Sequence, residues 1–155
     1  MDSLLAKLNF KAHRRVLVVG APEEAAQLVA SLREHAPVFL DAKAKGSFDF
    51  ALVFLKGCAE VGTAAQATEL LAEDAPFWCC YPKKSSKKYA SDLSRDGGWQ
   101  PLGDLGFEPV RQVALDEDWS ALRFRKAEKI KVLTRSAEYT MSTVGKAKAT
   151  GNRRG

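Results

Sequence analysis

Cysteine, histidine and long apolar runs are all scarce in this chain. Only three cysteines and two histidines occur among 155 residues. An odd cysteine count provides no disulfide framework, which favours a cytoplasmic protein. The strongest apolar run, residues 50–55, is far shorter than the roughly 20 residues that a membrane-spanning helix needs. Lys7 interrupts the apolar stretch at the N-terminus, so we expect no signal peptide.

The cysteines do not form a predicted metal site. Cys79 and Cys80 are adjacent in a predicted strand, so their side chains should point to opposite faces of the sheet and fill the core on both sides. Cys58 follows Gly57 at the end of another predicted strand and is the cysteine that we expect to be partly exposed. Asp116, Glu117 and Asp118 lie together, but three acids in a tight turn are typical of turn geometry. We therefore predict no metal.

The positive charge is unevenly distributed. The formal net charge is +5, yet residues 126–155 alone hold eight basic and two acidic residues. The rest of the chain is close to neutral, so the high isoelectric point does not by itself indicate a nucleic-acid-binding fold. We predict one domain over residues 1–136 and a basic, flexible tail over 137–155, since the tail has few large apolar side chains. The tail could attract nucleic acid weakly and without specificity, or only keep the protein soluble.

The order of predicted elements favours an α/β fold. Apolar runs near residues 16–19, 50–55 and 77–81 predict strands that are covered on both faces, as in a parallel sheet. Helical spacing between these runs predicts helices, one of them over about residues 59–73, and a further helix is predicted over residues 87–96. Residues 110–115 and 119–125 flank a short turn and predict an antiparallel hairpin. We therefore expect a Rossmann-like three-layer sandwich with a mostly parallel sheet and a C-terminal antiparallel hairpin, which resembles the architecture of class I methyltransferases.

The turn after the first strand lacks the glycines of a nucleotide-binding loop. It contains one glycine, Gly20, followed by Pro22, Glu23 and Glu24. Proline removes an N–H donor, and two carboxylates would repel a phosphate at the start of the helix. Asp41 lies near the position that usually contacts a ribose. Gly20 and Asp41 are therefore only weak candidates for binding a cofactor, and we predict none.

A cluster of hydrogen-bond donors follows the strand at 77–81. It leaves the carboxyl end of that strand, where ligands usually bind in open α/β sheets. Lysine, serine and arginine side chains suit an anion, and the serines could cap the next helix. The alternative is a solvated basic loop. The predicted ligand-binding residues are Lys83, Ser85, Lys87, Lys88 and Arg95.

Several segments of the sequence resemble a group of small bacterial proteins of unknown function. The resemblance covers roughly residues 4–135, and its most specific motif is VRQVALDEDWSALRFR at 110–125. It implies a stand-alone cytoplasmic bacterial domain, and it assigns no functional residue. The segments that carry the resemblance are residues 5–11, 20–22, 81–89, 94–99 and 110–125.

Three functions remain open from the sequence. The leading hypothesis is a non-catalytic protein that binds an anionic, phosphate-bearing ligand through residues 83–95. The alternatives are an enzyme of methyltransferase-like shape and an adaptor for protein or nucleic acid that uses the basic tail. The sequence predicts no membrane partner and does not predict the oligomeric state.

Overall fold

The computed structural model describes residues 3–40 and 46–129. Within these ranges six strands form one sheet in the order β2-β1-β3-β4-β6-β5. The strands are β1 (Val16–Val19), β2 (Val38–Phe39), β3 (Phe50–Phe54), β4 (Phe77–Pro82), β5 (Phe107–Ala114) and β6 (Trp119–Lys126). The helices are α1 (Ser3–Lys7), α2 (Ala26–Arg33), α3 (Val61–Ala67) and α4 (Gln100–Gly103). Short 3-10 turns lie at Glu23–Ala25, Cys58–Glu60, Thr68–Leu70 and Ala127–Lys129.

The apolar runs of the sequence form the parallel centre of the sheet. β1 pairs in parallel with β2 and β3, and β3 pairs in parallel with β4. All residues of β3 and β4 are buried, as expected for strands covered on both faces. β6 pairs antiparallel with both β4 and β5, which confirms the predicted C-terminal hairpin and the mostly parallel α/β fold.

Helices cover both faces of the sheet, so the domain has three layers. Leu5 of α1 and Leu32 of α2 pack in one core with Trp78. Val61 of α3 and Leu102 of α4 pack in the other core, on the opposite face. Cys79 belongs to the second core and Cys80 to the first. This confirms that the two adjacent cysteines face opposite sides of the sheet.

The predicted helix over residues 87–96 does not form. The whole segment between β4 and α4 lacks a regular helix. The hydroxyl of Ser86 accepts hydrogen bonds from the backbone N–H groups of Lys88 and Tyr89, and the Ser91 hydroxyl accepts one from Leu93. Such local bonds from side chain to backbone compete with helical hydrogen bonds, and here they hold the segment as a series of turns.

The helix predicted over residues 59–73 is also shorter than expected. Its regular part is α3, and the chain becomes extended at Leu71. There the Phe48 backbone N–H donates to Leu70 and the Ala72 N–H donates to Phe48. Hydrogen bonds to Phe48, which lies just before β3, thus replace the last helical turn. No helix among the described residues is long and apolar enough to cross a membrane.

Candidate functional site

A cavity lies at the edge of the sheet where the parallel strands have their carboxyl ends. It measures about 330 Å³, within the range of small-molecule sites. Phe54, the last residue of β3, and Trp119, the first residue of β6, form part of its wall. Glu24 and Leu28 line it from the start of α2 and its preceding turn, and Asp116 lines it from the β5–β6 turn.

Glu24 is the charged centre of this cavity. The Tyr89 hydroxyl donates a hydrogen bond to Glu24 Oε1 at 2.5 Å, and Lys88 Nζ lies 3.3 Å from the same oxygen. The hydrogen bonds from the Tyr89 hydroxyl and the Glu24 backbone N–H, with the nearby Lys88 ammonium and Trp119 indole, lower the pKa of Glu24 to about 2. Glu24 is therefore a carboxylate at neutral pH. Its side chain remains 19% exposed.

Two polar atoms of the cavity wall are buried without a hydrogen-bond partner among the described residues. They are Glu24 Oε2 and the indole nitrogen Trp119 Nε1. A buried polar atom that makes no hydrogen bond costs about 1–3 kcal/mol, so such atoms are uncommon in native structures. Both atoms lie in residues that line the same cavity, where a bound ligand could supply the missing partners.

Three aromatic rings connect the cavity to the segment after β4. The Tyr89 ring packs edge-on against Trp119 with the centroids 5.1 Å apart, and Trp119 packs in the same way on Phe54 at 5.5 Å. Tyr89 thus places its ring on Trp119 and its hydroxyl on Glu24. The sequence did not assign Glu24, Tyr89 or Trp119 to the predicted site. An acid after the first strand and an aromatic after β4 were the available signals.

The segment after β4 is fastened across the carboxyl edge. The Ser86 hydroxyl donates to Asp118 Oδ1 at 2.8 Å, and the Lys83 backbone N–H donates to the Asp118 carbonyl at 2.8 Å. Further along, the Cys58 backbone N–H donates to Asp92 Oδ1 at 2.7 Å. These bonds hold the segment against the β5–β6 turn and against the end of β3. They fix Tyr89 above the cavity.

The residues predicted to bind an anion have different surroundings. Lys88 pairs with Glu24. Lys83 is half-buried, whereas Ser85, Lys87 and Arg95 are exposed. Of the described residues, Glu24 and Asp116 bring two carboxylates to the cavity lining, and Lys88 offsets part of that charge through its ion pair with Glu24. The remaining negative charge favours a cation rather than an anion.

The turn after β1 contains Gly20, one of the two weak candidates for binding a cofactor. Gly20 has φ +71°, and a Cβ at this position would lie 2.8 Å from the Phe54 carbonyl oxygen. Glycine is therefore required by the close approach of the ends of β1 and β3. Asp41, the other weak cofactor candidate, lies outside the described residues, as does the tail over 137–155.

The acidic β5–β6 turn has a structural role. Asp116 Oδ1 accepts hydrogen bonds from the backbone N–H groups of Asp118 and Trp119, each at 2.8 Å. These bonds fix the turn that carries Trp119 into the cavity wall. Among residues 3–40 and 46–129, no group of three or more histidine, cysteine, aspartate or glutamate side chains could hold a metal ion.

Comparison with solved structures identifies the fold. The chain is similar to a SAM (S-adenosylmethionine) dependent methyltransferase from Aquifex aeolicus, with a TM-score of 0.54 and 15% identity over 79% of this chain and 87% of that one. It is similar to a 16S rRNA adenine methyltransferase from Catenulisporales acidiphilia, with a TM-score of 0.52 and 13% identity over 81% and 91%. A third is magnesium protoporphyrin IX methyltransferase from Synechocystis PCC 6803 with bound S-adenosylhomocysteine, with a TM-score of 0.52 and 12% identity over 79% and 78%. No protein-family model matches the sequence, and a sequence search of curated proteins finds no match.

These structures correct the leading hypothesis from the sequence. The hypothesis of a non-catalytic protein that binds an anion through residues 83–95 is wrong, because these solved structures with the same fold are methyltransferases. They support the methyltransferase-like alternative instead. The anion-binding hypothesis rested on the difference between the loop after β1 and a phosphate-binding loop. The fold depends on strand order, which that loop does not determine.

Proposed function

We propose that this chain is a methyltransferase-like protein that binds S-adenosylmethionine, or a closely related sulfonium nucleoside, at the carboxyl edge of its sheet. One observation carries the proposal. A ligand-sized cavity with a charged carboxylate opens at this edge, in a sheet whose fold is shared with a SAM dependent methyltransferase.

The odd number of cysteines, two of them buried as free thiols, supports a cytoplasmic setting.

The residues after β1 are compatible with this cofactor on grounds of charge. S-adenosylmethionine has no phosphate, so the argument that Pro22, Glu23 and Glu24 exclude a dinucleotide does not apply to it. Its sulfonium and ammonium groups are positive. The Glu24 carboxylate, which is ionised at neutral pH, and the Asp116 carboxylate at the cavity wall would attract those groups.

The chain's own residues would then hold the ligand in three ways. Glu24 supplies negative charge, and its low pKa keeps that charge present across the physiological range. Phe54 and Trp119 supply apolar walls that exclude water and strengthen this attraction. Gly20 lets the end of β1 approach β3 closely enough to form the floor of the site. When bound, S-adenosylmethionine supplies an electrophilic methyl group.

Titration calorimetry of the full chain tests the proposal. We expect saturable heat with S-adenosylmethionine and weaker binding of S-adenosylhomocysteine, whose sulfur is neutral. Glu24→Gln keeps an acceptor for the Tyr89 hydroxyl and removes the charge, so the Kd for S-adenosylmethionine should rise about tenfold. Glu23→Gln is the matched control, because Glu23 is exposed and does not line the cavity.

Two results would overturn the proposal. If the unmodified chain gives no heat with S-adenosylmethionine, the protein does not bind this cofactor. If Glu24→Gln and Glu23→Gln bind it equally well, the ligand does not occupy the Glu24–Trp119 cavity.

A further inference from the structure

A group of basic side chains lies on the face of the sheet that α1 and α2 cover, toward the amino ends of the parallel strands. This basic cluster consists of Lys11, His13, Arg111 and Arg123. Lys11 and Arg123 both act electrostatically on His13, and Arg111 acts on Arg123. Arg111 and Arg123 are also cross-strand partners, so these basic side chains lie near one another. The cluster lies away from the cavity, because Arg123 is four residues, about 13 Å, along β6 from Trp119.

Two arginines of the cluster face each other directly. Arg111 on β5 is the register partner of Arg123 on β6, and like charges in that position destabilise a sheet. Arg123 is also partly buried, and its Nε atom has no hydrogen-bond partner among the described residues. Burial and the neighbouring Arg125 and Arg111 lower the pKa of Arg123, and Asp74 opposes them. Two guanidinium groups thus lie side by side, one exposed and one partly buried.

The nearby carboxylates are already engaged. Asp74 accepts two hydrogen bonds from the Arg125 guanidinium, at 2.8 and 2.6 Å. Asp49 accepts hydrogen bonds from the backbone N–H groups of Arg14 and Arg15, both at 2.9 Å. Across the described part of the chain, Arg111 and Arg123 form no ion pair. Their charge is therefore available to a partner.

We propose that the basic cluster binds the phosphates of a nucleic acid. Guanidinium groups bind phosphate oxygens through paired hydrogen bonds, and Arg111 and Arg123 lie side by side for this. A second observation points to a long polyanion rather than a single small anion. The sequence that follows residue 129 adds six basic residues and one acidic residue. The chain therefore carries a long run of excess positive charge in addition to the basic cluster.

This inference goes beyond the proposed function and does not depend on it. The test is fluorescence anisotropy with a short labelled single-stranded RNA, the full chain and a salt series, in the absence of S-adenosylmethionine. We expect binding that weakens steeply with salt. The double variant Arg111→Gln with Arg123→Gln should make the plot of log K against log salt less steep by about 1.4, since each lost phosphate contact contributes about 0.7 for single strands.

The control removes the same number of charges elsewhere. Lys84→Gln with Lys87→Gln changes two exposed lysines in the segment after β4 and should leave the salt slope unchanged. Arg111→Gln alone alters an exposed side chain, so it tests the cluster with little effect on the fold. Its salt slope should fall by about 0.7. Thermal melting of each variant checks that the domain is folded.

Several outcomes would overturn the proposal. Equal losses in the two double variants would show attraction to net charge only. No binding of RNA at low salt, or an unchanged slope in Arg111→Gln, would show that the cluster does not contact phosphate. Competition by polyglutamate that matches competition by unlabelled RNA at equal charge would indicate an acidic protein as the partner.

Discussion

The hydroxyl of Tyr89 donates a hydrogen bond to Glu24 across 2.5 Å, although the two residues are 65 positions apart in the chain. This contact joins the segment after β4 to the turn that precedes α2. It covers the cavity from above and keeps a carboxylate ionised beneath an aromatic ring. The site therefore depends on how two distant segments meet at one edge of the sheet.

The low pKa of Glu24 makes the stability of the domain dependent on pH. The pKa falls from 4.5 to about 2 on folding, so Glu24 contributes stability above about pH 4.5, and that contribution is lost as the pH falls toward 2. Glu24→Gln lacks this contribution at every pH. We expect urea melts to show a gap between the unmodified chain and Glu24→Gln that is constant above pH 5 and closes by about pH 2. Glu23→Gln should show no such change, and a gap that stays constant down to pH 2 would contradict the assignment.

Two buried tryptophans offer a matched test of one hydrogen bond. Trp78 Nε1 donates to the Leu8 carbonyl at 2.9 Å, which ties the end of α1 to the sheet, whereas Trp119 Nε1 has no partner among the described residues. Replacement by phenylalanine removes the same volume in both cases. Trp78→Phe should cost about 1–3 kcal/mol more than Trp119→Phe, because it leaves a buried carbonyl unpaired. Denaturant melts of the two variants measure this difference, and equal costs would show that the Trp78 bond contributes nothing.

One glycine-to-alanine substitution should destabilise the domain and another should stabilise it. Gly20 has a positive φ, and its new Cβ would meet the Phe54 carbonyl at 2.8 Å. Gly20→Ala should therefore cost more than about 1 kcal/mol. Gly62 lies in α3 with no atom within 4 Å of its new Cβ, so Gly62→Ala should add about 0.5–1 kcal/mol of stability. Thermal melting of the two variants measures these changes in stability. If both substitutions stabilised the domain, the turn after β1 would not require a glycine.

The three cysteines should differ in their reactivity. Cys79 and Cys80 are buried, and burial raises the pKa of both thiols. The pKa of Cys58 is raised by burial and by the adjacent Asp92 carboxylate, so its thiolate, which is the reactive form, is scarce at neutral pH. We expect iodoacetamide to label Cys58 slowly and the other two not at all in the folded protein.

Substitution of Asp92 should accelerate this labelling. Asp92→Asn keeps an oxygen for the Cys58 backbone N–H and removes the negative charge, so the pKa of Cys58 should fall. Asp96→Asn, an exposed position in the same segment, is the control. Mass spectrometry after timed labelling gives the rates. A rate for Asp92→Asn equal to that of the unmodified chain would mean that Asp92 does not influence the thiol.

Local patterns in the sequence were sufficient to predict most of the fold. The apolar runs of β1, β3 and β4 can be buried only if both faces of the sheet are covered, and the short acidic turn before Trp119 allows only an antiparallel connection. The same local reasoning was wrong for residues 87–96. A short helix that ends before Gly97 was expected there, but the Ser86 and Ser91 hydroxyls accept hydrogen bonds from the backbone instead.

The sequence by itself determined which apolar runs become buried strands and that helices cover both faces of the sheet. Hydrophobic spacing acts over a few residues, so it can be recognised without the tertiary structure. Tertiary structure decided the site. Glu24, Tyr89 and Trp119 come from three separate segments, and their meeting depends on strand order and on the path of the chain after β4. The pairing of Arg111 with Arg123 likewise depends on the register of the hairpin, and a shift of one residue would turn the side chains of a strand to the opposite face. Charge and chemistry were visible in the sequence, but only the packed sheet brings these groups together.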